Sequence, residues 1–445
     1  MKKLAACILL ATLSVCMFTL AFNVKSVKSI QTSPVVEWNK TYGRVYDANA
    51  HNSLVQTHDG GYAIASTSDF GASDADERFY LVKTDSNGTV EWNKTYGTVR
   101  SIVYSMVQTN DGGYILAGAG ATLPYGVVWV VKTDANGNVQ WNKTYGGNGD
   151  NARSIIQTSD GGYAIAGIAA GANGNWEGFL IKTDSNGNML WRKTYGASTN
   201  NTQLTSVVQT SDGGFLMAGA TQSPPFSGKV DAYVIRTDSY GNATWVKDYS
   251  QTSGDDYGNS IIQTSDGGYA IAGQTDIFGN GDAWLIKINA TGDLTWDKTY
   301  NGSAGADFAY SIIQTSDGGY AMGGTIDFNG NGYAWIIKTN ADGTVSWNQT
   351  YGGSGYSRGY SAIQTSDGGY ALAGYTNSFS SDGSYQVWLI KLAQVKQVLS
   401  IGGYSTSIDV YTSAKLLAVY LTLVTTLLAT TASVRRKKAL KRHAR

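Results

Sequence analysis

Cysteine is nearly absent from this 445-residue chain: Cys7 and Cys16 are its two cysteines, both near the N-terminus. The rest of the chain therefore has no disulfide, no thiolate metal site and no thiol nucleophile. Histidine is almost as scarce, with His51, His58 and His443. A Ser-His-Asp triad or a histidine-ligated zinc has little to be built from. The four prolines (Pro34, Pro124, Pro224 and Pro225) fall in expected loops or just ahead of a strand. Helix-length apolar periodicity is rare. With 55 glycines and 12% aromatic residues, the composition is that of an all-β chain.

The formal net charge is +0, but its distribution is uneven. Residues 1–30 hold four lysines and residues 415–445 hold eight Lys or Arg, neither segment with an acid. The chain between them is left with 21 bases against 33 acids. A body of that charge repels nucleic acid.

What fills the chain is a repeat. One copy runs SIIQTSDGGYAIAGQTDIFGNGDAWLIKINATGDLTWDKTY from Ser260 to Tyr300. It holds four short strand signals joined by SDGG, a longer variable connection, and NATGD, which reads DSNGN in sister copies. Asp-Gly-Gly and Asn-Gly between apolar runs predict hairpins with type I′ turns, which need positive φ at the central residues. Each unit is thus a four-stranded antiparallel meander. Both faces of its second strand are apolar or small, so copies must pack on one another. The DGG turn begins at Asp59, Asp111, Asp160, Asp212, Asp266, Asp317 and Asp367.

The strand registers do not start together. The chain opens with an orphan fourth strand, VVEWNKTYG at Val35–Gly43, and its last repeat stops after WLIKL at Trp388–Leu392. A ring uses that permutation, because the first strand completes the last unit and leaves no sheet edge free. The prediction is a seven-bladed β-propeller over 31–392, with four-stranded blades and closed by its N-terminal strand. The fourth-strand tryptophans (Trp38, Trp92, Trp141, Trp191, Trp245, Trp296 and Trp347) recur in every copy and are expected to be packing residues.

The pattern WNKTYGG, SIIQTSDGGYAIAG and LIKTDSNGN resembles a family of repeat-bearing surface proteins of archaea and bacteria whose members are predicted to be propellers. The resemblance covers Val35 to Leu392. It implies the repeat architecture and a surface location, and says almost nothing of activity.

The flanks point the same way. Residues 1–30 open with Lys2 and Lys3 ahead of an apolar run, as a signal peptide or signal anchor does. Residues 393–414 lack the repeat and are expected to form a stalk. Residues 415–434 contain an uncharged run, Leu416–Val434, sufficient for a membrane helix of about 30 Å. The basic tail 435–445 then lies in the cytoplasm and the propeller outside, by the positive-inside rule.

A propeller built this way has one rim of short repeated turns and one rim of variable connections. Recognition is expected on the second. Trp176, Glu177, Asp256, Tyr257, Phe278, Asp282 and Phe328 are the candidate ligand-binding residues. Rings beside carboxylates suit a sugar, or the surface of another protein. A glycoside hydrolase on the same scaffold, or a structural envelope protein, is the alternative. No catalytic residue is assigned and no cofactor is expected. Calcium is the alternative, either on the alternating Asp184, Asn186 and Asn188, where no Glu follows at the twelfth loop position, or on the NGNGD-type loops near Asp282. Of the N-x-S/T sequons, Asn200 and Asn301 lie in variable loops and are the glycosylation candidates.

Overall fold

A computed structural model describes residues 30–408 apart from 32, 46–52, 69–76, 98–99, 121–125, 148, 172–173, 197–199, 223–227, 252–253, 277–280, 303–304, 329–330, 396 and 402–403. The expected signal segment, membrane helix and basic tail lie outside the described residues, as do His51 and Phe278. No helix among the described residues is long and apolar enough to cross a membrane.

Residues Val35–Ala393 form one compact unit. It is a propeller of seven four-stranded antiparallel blades. The fifth blade is representative, with strands Tyr257–Gln263, Tyr269–Gln274, Ala283–Ile288 and Leu294–Tyr300 in sequential order. The seventh takes three strands from Ser357–Gln364, Tyr370–Thr376 and Gln386–Leu392, and its fourth is Val36–Arg44. That strand pairs Trp38 with Lys391 and Thr41 with Trp388. At the seam the Ala393 amide donates to the Val35 carbonyl at 2.9 Å.

Burial of both sheet faces holds the ring together. Ile271 and Ile286 of the fifth blade pack on Leu216, Ala218 and Val234 of the fourth. Ala270, Ala272 and Leu285, on the opposite face, pack on Ile312, Met322 and Ile337 of the sixth. Each large aliphatic side chain so buried stabilises the fold by roughly 1.5–3 kcal/mol before entropy is counted. Small residues on one face and large ones on the other let neighbouring blades interdigitate. The ring closes through the same contact: Tyr62 and Ile64 of the first blade cluster with Ala371, Ala373 and Leu389 of the seventh.

The hairpin turns differ from the predicted type I′. In SDGG the Thr264 carbonyl accepts from Gly267 and the Thr264 amide donates to Gly268, both at 2.9 Å. Only Gly267 has positive φ, at 81°. This is a type I turn closed by a glycine bulge. The cause is the aspartate, whose carboxylate accepts from the Gly268 amide two residues on at 3.0 Å and so favours right-handed backbone at the residues before the glycine. The second turn has the same build, with Gly187 at φ 73° and Asp184 as acceptor.

In six of the seven repeats the first strand also starts earlier than expected. In the fifth blade it begins at Tyr257, not Ser260, and the register shifts between Gly258 and Ser260. Residues 393–414, expected as a stalk, contain Gln397–Ile401 and Tyr404–Ile408, which pair as a hairpin with Ile30–Gln31 on its edge. That sheet belongs to a second compact unit.

Candidate functional site

The repeated rim is accounted for by structure. A near-buried third-strand lysine reaches the aspartate of its own blade's DGG turn: Lys182 to Asp160 at 2.9 Å, Lys132 to Asp111 at 2.8 Å, Lys391 to Asp367 at 2.8 Å. Arg236 does the same to Asp212 in the fourth blade. Burial would raise the Asp160 carboxyl, but Lys182, the Thr158 hydroxyl and the Gly162 amide outweigh it and hold the pKa at about 2. Six of the seven repeat tryptophans sit edge-on to an aromatic of the next blade, as Trp141 does to Tyr163 with ring centres 5.9 Å apart. The Asp184 carboxylate that invited calcium accepts from the Asn186 amide, the Asn188 amide and the Asn188 side chain. Among the described residues no three His, Cys, Asp or Glu side chains gather as metal ligands would.

The variable rim is tied by buried acids. Asp256 is fully buried. It accepts from the Gln251 amide at 2.9 Å and the Asp276 amide at 3.3 Å, and it meets Lys229 at 3.3 Å. Asp150 holds the Gly147 and Ala170 amides and pairs with Arg192 at 2.9 Å. Such a carboxylate joins the connection entering a blade to the connection across its top. Asp282 is half-buried, with Oδ1 unbonded, and burial raises its pKa against the Asn301 side chain.

The other predicted residues are dispersed around the rim. Trp176 is 37% exposed, its amide donating to the Asn201 side chain at 3.0 Å. Glu177 follows it, half-buried, opposite Ala169. Phe328 ends the strand Tyr320–Phe328. Asn200 is half-buried and Asn301 exposed. Only Tyr257 reaches the feature described next.

The seven inner strands enclose an axial channel. Each contributes one serine to it: Ser53, Ser105, Ser154, Ser206, Ser260, Ser311 and Ser361. These serines form a belt between blades. Ser105 accepts from the Ile155 amide at 3.2 Å, Ser154 from Val207 at 3.2 Å, and Ser311 from Ala362 at 3.0 Å. Ser361 accepts from Leu54 at 3.3 Å, carrying the belt from the last blade to the first.

Immediately before the serine the register shifts in six blades, between Val103 and Ser105, Ala152 and Ser154, Leu204 and Ser206, Gly258 and Ser260, Ala309 and Ser311, and Gly359 and Ser361. One residue in each is extra. A bulge of this kind re-aims its side chain. The extra residues are Tyr104, Arg153, Thr205, Asn259, Tyr310 and Tyr360, and all line the channel with Gln203 and Tyr257. The cavity they enclose is about 360 Å³, near the lower end of the roughly 300–1,000 Å³ of small-ligand sites.

The lining is asymmetric. Thr205 donates to the Gly258 carbonyl at 2.7 Å and Asn259 to the Ala309 carbonyl at 2.9 Å, so both serve the next blade. Arg153 lies over the Tyr104 ring at 4.0 Å with its Nε unbonded. Tyr310 and Tyr360 stand 4.9 Å apart between ring centres. Arg358, at the register position of Tyr257 and Gln203, donates to the Tyr356 hydroxyl at 2.8 Å and the Tyr360 hydroxyl at 3.4 Å. Burial raises the Tyr310, Tyr257 and Tyr356 phenols above their ordinary value. They stay protonated near neutral pH and can donate. The lining contains no carboxylate among the described residues.

Sequence reasoning missed this site because it looked to the loops. The signal was nonetheless present. In the column before the invariant serine, six copies read Tyr, Arg, Thr, Asn, Tyr and Tyr.

No family model matches the sequence, and no curated protein matches it by sequence. Solved structures match by shape. A chain of a mitotic checkpoint complex aligns at TM-score 0.54 and 14% identity, over 83% of this chain and 98% of that one. A chain of the COPII outer coat vertex on membranes aligns at 0.51 and 11%, over 83% and 89%. A protein of unknown function from Dyadobacter fermentans aligns at 0.48 and 13%, over 84% and 100%. The first two likenesses show the propeller fold alone.

Proposed function

We propose that this chain is a cell-surface binding module, anchored through Leu416–Val434, that takes a small saccharide into its axial channel. The observation that carries the reading is the bulge column. Around it the inner strands repeat a serine, apolar residues and a glutamine. At the bulge the residue changes from blade to blade and faces the cavity. Variation in the lining of a cavity, set on strands that otherwise repeat, is what recognition requires. Phenol rings and protonated phenol hydroxyls supply stacking faces and donors for a sugar. A hydrolase would need two carboxylates about 5–9 Å apart. The absence of acids from the described lining weighs against that alternative.

The test is a glycan-array screen of the full chain in detergent, with and without calcium. Saturable binding that is lost in Tyr310→Ala supports the reading. Binding that survives Tyr310→Ala and falls in Trp176→Ala moves the contact to the outer rim. Silence across the array leaves a protein partner or a structural role.

A further inference from the structure

We infer that the channel selects an anionic saccharide, with Arg153 as its charge-reading residue; this rests on the channel being the binding site. Two of the arginines in the body show how the fold treats an ordinary guanidinium: Arg192 pairs with Asp150, and Arg236 with Asp212. Arg153 and Arg358 have no carboxylate partner among the described residues. Both are half-buried, and both meet phenols instead. An arginine drawn from water toward rings with no carboxylate to meet it has donor capacity unmet inside the protein; Nε of Arg153 is unbonded, as is that of Arg192, but Arg192 has Asp150 for its other donors. The body around them is acidic, yet the described lining holds no acid. The positive charge of the channel is therefore not neutralised locally.

Geometry narrows the ligand further. Arg153 of the third blade is the guanidinium that lines the cavity; Arg358 of the seventh is not among the lining residues and meets it through the Tyr360 hydroxyl at 3.4 Å. The Tyr104, Tyr310 and Tyr360 rings line the same cavity. A guanidinium fork binds carboxylate or sulfate oxygens through paired N–H donors, and a phenol ring stacks on the apolar face of a pyranose. The cavity of about 360 Å³ has room for one or two sugar rings rather than a long chain lying flat. A sugar bearing a carboxylate or a sulfate satisfies both elements at once.

Isothermal titration of the full chain in detergent tests this with four probes: glucuronate, glucose 6-sulfate, glucose and inorganic sulfate. Glucuronate or glucose 6-sulfate is expected to bind at least about tenfold more tightly than glucose, as one charge-assisted hydrogen bond provides. Which of the two binds tells carboxylate from sulfate. Affinity is expected to fall with added salt, and Arg153→Gln to weaken the acidic probe by about 10- to 100-fold while Arg153→Lys keeps part of it. Near-UV circular dichroism shows whether each variant stays folded, and the probe series on the unaltered chain decides the matter if one does not. Equal binding of glucose and glucuronate overturns the charge reading and leaves the saccharide channel standing. Binding of inorganic sulfate as tightly as the sulfated sugar overturns the saccharide part. Acidic-sugar binding that Arg153→Gln leaves unchanged overturns the role of Arg153, and no binding of any probe sinks both readings together.

Discussion

The hydroxyl of Tyr42 donates to the carbonyl of Gly88 at 2.9 Å, and so fastens the closing strand of the seventh blade to a turn of the first. The same bond recurs around the ring, from Tyr96 to Gly137, Tyr145 to Gly187, Tyr195 to Gly241, Tyr249 to Gly292 and Tyr300 to Gly343. Tyr351 breaks the series. Its turn partner would join the third and fourth strands of the seventh blade, and there the chain instead enters at Val35 and leaves at Ala393. The Tyr351 hydroxyl is left buried without a partner.

The two positions should therefore respond oppositely to loss of the hydroxyl. Tyr300→Phe removes a satisfied buried bond and should cost about 1 kcal/mol. Tyr351→Phe removes an unsatisfied one and should be neutral or stabilising. Denaturant melts of the two variants decide it; equal destabilisation would mean that Tyr351 finds a partner in solution.

The pairs between the DGG aspartates and third-strand cations set the acid limit. Asp59, Asp160, Asp212 and Asp266 sit at about 2 in the folded chain, against about 3.9 when unfolded. A depressed carboxyl contributes stability that is complete above the unfolded pKa and is lost as pH falls through the folded one. The melting temperature should hold above about pH 4 and fall steeply toward pH 2. In Lys182→Met that fall should be shallower, because Asp160 no longer has a cation to keep its carboxyl ionised. A melting temperature that is flat between pH 4 and 2 would show that these pairs contribute nothing net.

Architecture was legible in the chain because it is written by counting. Seven DGG turns, an orphan WNKTY strand at the start and a missing one at the end admit one closed arrangement, and Val36–Arg44 does pair with Gln386–Leu392. The site was not legible by the same means. Rim residues such as Asp256 and Trp176 are polar or aromatic in variable loops, a pattern that buried loop ties and exposed rims produce equally. The bulge adds a residue to one strand without disturbing the apolar pattern on either side, so Arg153 or Tyr310 looks like any residue ahead of a strand. Its change from copy to copy ahead of the serine marks the column, but its place as an extra residue shows only in its opposition to a shifted partner, Ser154 to Ala166 after Ala152 to Gly167.

The serine belt gives a second stability test. Ser154→Ala removes the acceptor of the Val207 amide between the third and fourth blades. A buried amide so abandoned costs roughly 1–3 kcal/mol, and Ser154→Thr, which keeps the hydroxyl, should recover part of it. Hydrogen exchange at Val207 reports the loss directly. Unchanged protection in Ser154→Ala would remove the belt from the list of interblade ties.

Ring closure should be separable from blade formation. Deleting residues through Arg44 takes away the partner of Gln386–Leu392 and leaves that strand as an edge, with backbone groups open to pairing. It also removes Tyr42 and the Trp38 ring that packs on Tyr62 at 5.7 Å, both contacts to the first blade. The expected result is a chain that melts earlier and associates with itself through the open edge. A synthetic peptide spanning Val35–Val45 supplies both the strand and those two side chains, so adding it in trans should restore a monodisperse propeller and raise the melting temperature in proportion to the logarithm of peptide concentration above its dissociation constant. A scrambled peptide should do neither. If the truncated chain is as stable and monodisperse as the parent, closure by the N-terminal strand is not what holds the ring shut, and the contact between the Ile64 and Ala373 faces must suffice alone.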